Sequence, residues 1–310
     1  MTLDMSIARR FASEMADVAR MGVSRVSFTG GEPFLAGDQL AVMSEAAAAA
    51  DIEATVVSAC HWAKTRAAAE RTVARFPGLT HWHLSTDLYH ADHLDPEQVV
   101  HAALAVRQRG AKAHIRMAVA RTPRPDERSL VDWIRQRLPD DLPITLQPIS
   151  PVGRAREIGF TPERAGNTVP DSPCVTTGPL IAHDGVLLPC CSGLAERRDI
   201  NPFATVDAGR IGLPAALLAW RGDPLLTLVR CLGFAYPAEW ARDAGARLPT
   251  PAPSHPCDYC TALWSSPAAR DAVRARASQP AARDKVEALA AALFSSDDAD
   301  QDHRSEGAAQ

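Results

Sequence analysis

The amino-acid sequence predicts an α/β fold on a parallel sheet, followed by a smaller cysteine-rich domain. Three observations predict it. Short β-branched runs alternate with helical patterns at a repeat of roughly 30 residues, the length of a βαβ unit. The polar clusters fall where those runs end, the side on which parallel α/β sheets build their sites. The seven cysteines are concentrated in the C-terminal half of the 310 residues.

The elements follow in order. Ile7, Phe11, Met15 and Val18 stand at helical spacing over residues 7–21, and Gly22 ends that helix. A strand at 25–28 runs into Thr29-Gly30-Gly31-Glu32-Pro33, and an Ala-rich helix spans 38–50. A second strand at 53–58 leads to Cys60-His61 and a helix over 64–75. The third strand, 80–85, ends at Asp87-Leu88-Tyr89-His90. Asp95-Pro96-Glu97 then opens a helix carrying Val99, Ala103 and Val106 to Gly110. A strand at 113–119, a helix at 127–138 and a strand at 144–149 complete the series, which ends on Ser150. Farther on, Leu180–His183, the Asp184-Gly185 turn and Val186–Leu188 spell a hairpin. A last helix covers 281–294, and the acidic polar tail 295–310 is expected to be disordered.

Composition bounds the function. The chain is 46% hydrophobic with a net charge of −4 spread along its length, so no basic patch argues for nucleic acid or a membrane surface. No apolar run is long enough to span a bilayer and no secretory leader opens the chain, which reads as cytoplasmic. An odd number of cysteines in a chain this large fits metal ligation better than a disulfide framework.

Two constellations carry chemistry. Gly30-Gly31 at a strand end leaves backbone groups open to close approach, with the Glu32 carboxylate at the same lip and Pro33 stiffening the turn. A tight turn with a surface Glu is the plainer alternative. Cys174-x10-Gly185-x4-Cys190 with Cys257-x2-Cys260 can bring four thiolates together across the hairpin, a soft set suited to Zn²⁺ or to a [4Fe-4S] cluster. Cys191 is an alternative to Cys190, and Cys231 reads as an apolar core residue. Asp87 is placed to take a ribose hydroxyl or to orient His90; the plainer alternative is a cap on the following turn with His90 solvated. Arg116 points either inward, able to grip a carboxylate, or onto a helix, and Gln147 is a weaker candidate. His81-Trp82-His83 puts two imidazoles on one strand face, either as a metal pair or as surface histidines.

Thr29-Gly30-Gly31-Glu32-Pro33 after an early strand resembles the S-adenosylmethionine (SAM) binding motif of the radical SAM enzymes, and the C-terminal cysteine pattern resembles their shortened SPASM extension, the twitch domain. The resemblance runs from about Ser6 to Trp264. It implies a partial (β/α)6 TIM-like barrel over 1–155 without its first strand, and an auxiliary [4Fe-4S] domain over 170–265. SAM would contact Gly30, Gly31, Glu32, Pro33, Asp87 and Arg116; Cys174, Cys190, Cys257 and Cys260 would hold the cluster. It further implies radical modification of a peptide or small molecule, with a reductant such as ferredoxin or flavodoxin.

One part of the family pattern is missing. The Cys-x3-Cys-x2-Cys loop that holds the family's SAM-cleaving cluster has no counterpart, since no cysteine precedes Cys60. With the distal cysteines intact, we expect that strand and loop upstream of Met1 rather than a degenerate relative. The alternatives are a non-catalytic iron-sulfur or electron-transfer protein on the same fold, and a zinc-stabilised α/β protein.

Overall fold

The computed structural model describes residues 2–149, 168–170, 172–191, 193–250, 252–253 and 255–294. The chain divides into two compact units. One is Met1–Ser150 with His183–Gly185 and Gly209–Pro214; the other is Pro151–Ala182, Val186–Ala208 and Ala215–Gln310. The expected Ser150–Arg154 strand end and the 295–310 tail lie outside the described residues.

The first unit holds a five-stranded parallel sheet in the order β1-β2-β3-β4-β5. The strands are β1 (Arg25–Phe28), β2 (Glu53–Ser58), β3 (His81–Thr86), β4 (Lys112–Val119) and β5 (Ile144–Pro148). Between them run α3 (Gly37–Ala49), α4 (Arg66–Arg75), the short α5 (Leu88–Ala91), α6 (Glu97–Gln108) and α7 (Pro125–Arg135). The order never reverses, so right-handed crossovers all wind the same way and lay their helices on one face.

Burial along the strands agrees. In β3 and β4, Trp82, Leu84, Ala113, Ile115, Met117 and Val119 are buried, and α6 packs on both strands. The alternate positions His81, His83, Ser85, Lys112, His114, Arg116 and Ala118 are accessible or half-exposed, as the period-two geometry of a strand requires. One face of the sheet is therefore apolar and covered; the other is polar.

The opening helix is not continuous as the spacing predicts. It breaks at Glu14 into α1 (Met5–Ser13) and α2 (Met15–Arg20), yet Phe11, Met15 and Val18 are all buried. Glu14 turns its carboxylate to the backbone N–H of Leu213 at 2.6 Å, and Arg10 donates to the Gly209 carbonyl at 2.7 Å. These contacts tie 209–214 to α1. The helix expected at 127–138 begins at Pro125 and ends at Arg135, because Glu127 receives the backbone N–H groups of Ala120 and Arg124 and closes the first turn.

In the second unit the hairpin forms as expected. β6 (Leu180–Ile181) pairs antiparallel with β7 (Val186–Leu188) around Gly185 at φ +80°, where a side chain would be strained. β8 (Val206–Asp207), which the sequence analysis does not assign, adds to β7. Helices follow at Pro224–Leu232, Ala235–Asp243, Pro256–Trp264, Pro267–Ala277 and Pro280–Phe294. Three start alike: Asp223, His255 or Ser266 caps the first turn and the next residue is proline, whose missing N–H costs nothing there. Trp264, Tyr259, Phe234, Leu187 and Leu188 form the buried centre.

Candidate functional site

The turn after β1 is pinned from two sides. Pro33–Ala36 coils into a single 3-10 turn, and Phe34 drops from it into an aromatic cluster. Its ring lies 4.9 Å from Trp62, 5.1 Å from Phe76 and 5.5 Å from Trp82. The second tie is Glu32. Its carboxylate accepts from the Ser58 hydroxyl, from the Ala59 N–H at 3.0 Å and from the Phe34 N–H at 3.3 Å, and lies 3.6 Å from His61 Nδ1. With only 12% of its side chain exposed, Glu32 binds the β1 turn to the end of β2. The resemblance implies Glu32 as a SAM contact at the lip; the structure engages its oxygens within the chain.

Gly30 and Gly31 are left clear. Gly30 has φ +133°, which only glycine adopts comfortably, and a methyl group added at either residue would meet nothing within 4 Å. The lip is thus bare backbone on a rigid footing.

Cys60 sits next along this edge, buried and with φ +66°. Burial and then the Glu32 charge push its thiol well up, so it is a neutral side chain there.

At the end of β3, Asp87 both caps the following turn and holds His90. Its Oδ1 accepts the His90 N–H at 2.7 Å and caps α5; its Oδ2 lies 2.9 Å from His90 Nδ1, an ion pair with Asp87 as the main cause of a raised His90 pKa. Asp87 is buried. Arg116 lies on the polar face of the sheet, away from the helix-covered one, and donates to Gln147 Oε1 at 2.7 Å. Ser85, Asp87, His90, Arg116, Ala118 and Gln147 together line a cleft of ≈ 290 Å³. Gly30–Pro33 are not among its lining residues.

His81 and His83 do share one face, with His81 3.4 Å from Glu53. The unforeseen neighbour is His114, level with His83 across the sheet at 5.2 Å between ring centroids. Sequence spacing cannot reveal a partner one crossover away, although an alternating His114-x-Arg116 in a predicted strand hints at the same face.

In the second unit, three separate segments bring the four predicted cysteines near one another. Cys257 and Cys260 are three residues apart on the first turns of Pro256–Trp264 and so lie on one helix face. Cys190 follows β7 and is buried, whereas its neighbour Cys191 is exposed. Cys174 is held to the helix Pro224–Leu232 by its N–H on the Val229 carbonyl at 2.8 Å.

Cys260 is buried, with Trp264 Nε1 donating to its Sγ at 3.0 Å. Burial raises this thiol most, and Cys174, Cys190 and Cys257 each raise it further. Arg230, stacked 4.8 Å over Trp220, supplies positive charge near Cys174. Cys231 is half-buried beside it rather than in the core. Among the described residues, no three of His, Cys, Asp and Glu form a group that could hold a metal ion as they stand. The thiols influence one another without converging on a point.

No described helix is long and apolar enough to cross a membrane. No protein-family model matches the chain, and no curated protein matches it in sequence.

Proposed function

We propose that this chain is the SAM-binding and auxiliary-cluster portion of a radical SAM/SPASM-type protein, acting in the cytoplasm on a peptide or a small molecule. The observation that carries it is the gathering of Cys174, Cys190 and Cys257 about the buried Cys260, in a chain whose parallel sheet ends its first strand on Thr-Gly-Gly-Glu-Pro.

The residues fit the two groups in different ways. For a cluster, four thiols of soft donor character come from three segments. The spacing alone suits a [4Fe-4S] cluster or one tetrahedral zinc ion, and the resemblance of the whole pattern to the twitch domain favours the cluster. For SAM, the bare lip at Gly30-Gly31 admits close backbone approach, and Asp87, two strands along the sheet at the end of β3, offers a carboxylate. Glu32 supports that lip by holding it to β2. A sheet wound in one direction, with a polar uncovered face, supports reading the first unit as part of a barrel.

When bound, SAM and iron-sulfur clusters supply the radical and electron-transfer chemistry. The chain's own contribution is to hold and shield. Phe34, Trp62 and Trp82 fix the lip, and Asp87 holds the His90 ring by its Nδ1, 2.9 Å away. The 310 residues contain no Cys-x3-Cys-x2-Cys, so the proposal for them is binding of SAM and one auxiliary cluster, with ferredoxin or flavodoxin as the class of reductant.

Anaerobic reconstitution with iron and sulfide tests it. The expected result is about four iron atoms per chain with sulfur-to-iron charge-transfer absorption. One tightly held zinc and no iron would overturn it in favour of a zinc-stabilised protein.

A further inference from the structure

The polar face of the sheet carries a cluster of nitrogen-rich side chains around the Arg116 guanidinium. His83 and His114 stand level on β3 and β4, their ring centroids 5.2 Å apart. Two residues farther along both strands, on the same face, Ser85 stands level with Arg116. Two residues back, His81 is level with Lys112. Arg116 donates to Gln147 Oε1, a neutral acceptor, and forms no ion pair among the described residues.

The acids on this side are engaged elsewhere. Glu53 is taken by Arg25 and lies 3.4 Å from His81, and Asp87 is held by His90. Thr145, on β5, lies with its hydroxyl 2.7 Å from His114 Nε2. The wall is half-buried and holds a guanidinium, two imidazoles and hydroxyls, and the carboxylate that lines the same cleft as Arg116, Asp87, is already paired with His90.

We propose that His83, His114 and Arg116 form an oxyanion site, which takes the carboxylate or phosphate group of a small-molecule ligand other than SAM lying along β3 and β4. Arg116 offers the planar fork that matches either oxyanion, and the imidazoles add donors on one side of it. The neighbouring cleft of ≈ 290 Å³ leaves room for the rest of a small ligand. The site does not rest on the SAM reading. If that reading holds, this site assigns the substrate as an acidic molecule.

The electrostatics make binding detectable. Burial holds His83 down to about 4, and Arg116, His114, His81 and Arg25 all push it the same way; burial and Arg116 lower His114. Of the remaining groups on this face, Glu53 acts on His81 to raise it and Lys112 to lower it. No acid offsets the cations at His83 or His114. An anion between them would do so, and the site would take up protons as it fills.

The experiment is a histidine-ring NMR titration of the full chain against pH at constant ionic strength in chloride, with and without inorganic phosphate or succinate. The His83 and His114 midpoints should rise by about one unit with either anion, equivalent to about tenfold tighter binding by the protonated ring. Arg116→Met should abolish the rise while the His90 midpoint stays raised, which shows that the variant is folded. His114→Gln, as a second variant, should reduce the rise at His83. Saturating SAM should leave the effect of phosphate in place. Midpoints unmoved by both anions, an Arg116→Met variant that responds like the parent, or complete competition by SAM would each overturn the proposal. SAM binding without an anion response would leave the cofactor reading standing and remove only this one.

Discussion

Both carboxylate oxygens of Glu32 meet the Ser58 hydroxyl, at 3.0 and 3.1 Å, and so join the turn after β1 to the end of β2. Glu32→Ala would leave the Ala59 N–H and the Ser58 hydroxyl without that acceptor in a largely buried place. We expect a loss of about 1–3 kcal/mol, read by denaturant unfolding. SAM affinity should fall as well, because the lip loses its tie. An unchanged unfolding midpoint would show that the tie carries no load.

Gly30 and Gly31 should respond differently to the same change. Gly30→Ala forces a side chain into φ +133° and should destabilise by about 1–3 kcal/mol. Gly31→Ala meets no strained φ and no neighbour within 4 Å, so stability should stay within about 0.5 kcal/mol of the parent. Its methyl would stand where a ligand must approach the backbone, so SAM binding should weaken by about tenfold or more. Calorimetric titration beside thermal unfolding separates the two outcomes; equal SAM affinity in Gly31→Ala and the parent would remove Gly31 from the site.

The Asp87–His90 pair gives a pH signature. His90 is raised above its ordinary 6.5, so its contribution to stability is full below that pH and is lost as pH rises through the higher folded-state midpoint. Asp87→Asn keeps a good helix cap but removes the charge. The stability gap between parent and variant should be widest below pH 6.5 and close with rising pH, reaching no more than about 1 kcal/mol at so accessible a group. The His90 midpoint should fall in the variant, measured by NMR; a gap that widens with pH would refute the assignment.

The cysteines separate by position. Ala at Cys190, Cys257 or Cys260 should reduce bound iron from about four atoms towards none after reconstitution, whereas Cys191→Ala, at an exposed site, should retain it. Iron lost in Cys191→Ala and kept in Cys190→Ala would exchange their roles.

Much of the fold is legible because it rests on local signals. Strand 53–58 shows itself by its β-branched run, and the hairpin by Asp184-Gly185. The break at Glu14 is not legible, since it depends on the distant Leu213 N–H. The sequence analysis also leaves Pro224–Leu232 and Ala235–Asp243 unassigned, although Leu225, Leu226, Leu228 and Val229 mark one apolar face and Asp223-Pro224 is a readable helix start.

At the site, residue types are legible and partnerships are not. Glu32 with Ser58, and His83 with His114, meet only through strand register, a property of the assembled sheet.

A sheet in which every strand neighbours the next in the chain also bears on how the molecule is made. As the polypeptide leaves the ribosome, each new strand finds its docking edge already synthesised and need not wait for a later segment to fit between earlier ones. Loop closures stay at the span of a single crossover, which keeps contact order low for a parallel sheet. Growth would proceed from β1 towards β5, with the newest strand always at the advancing edge.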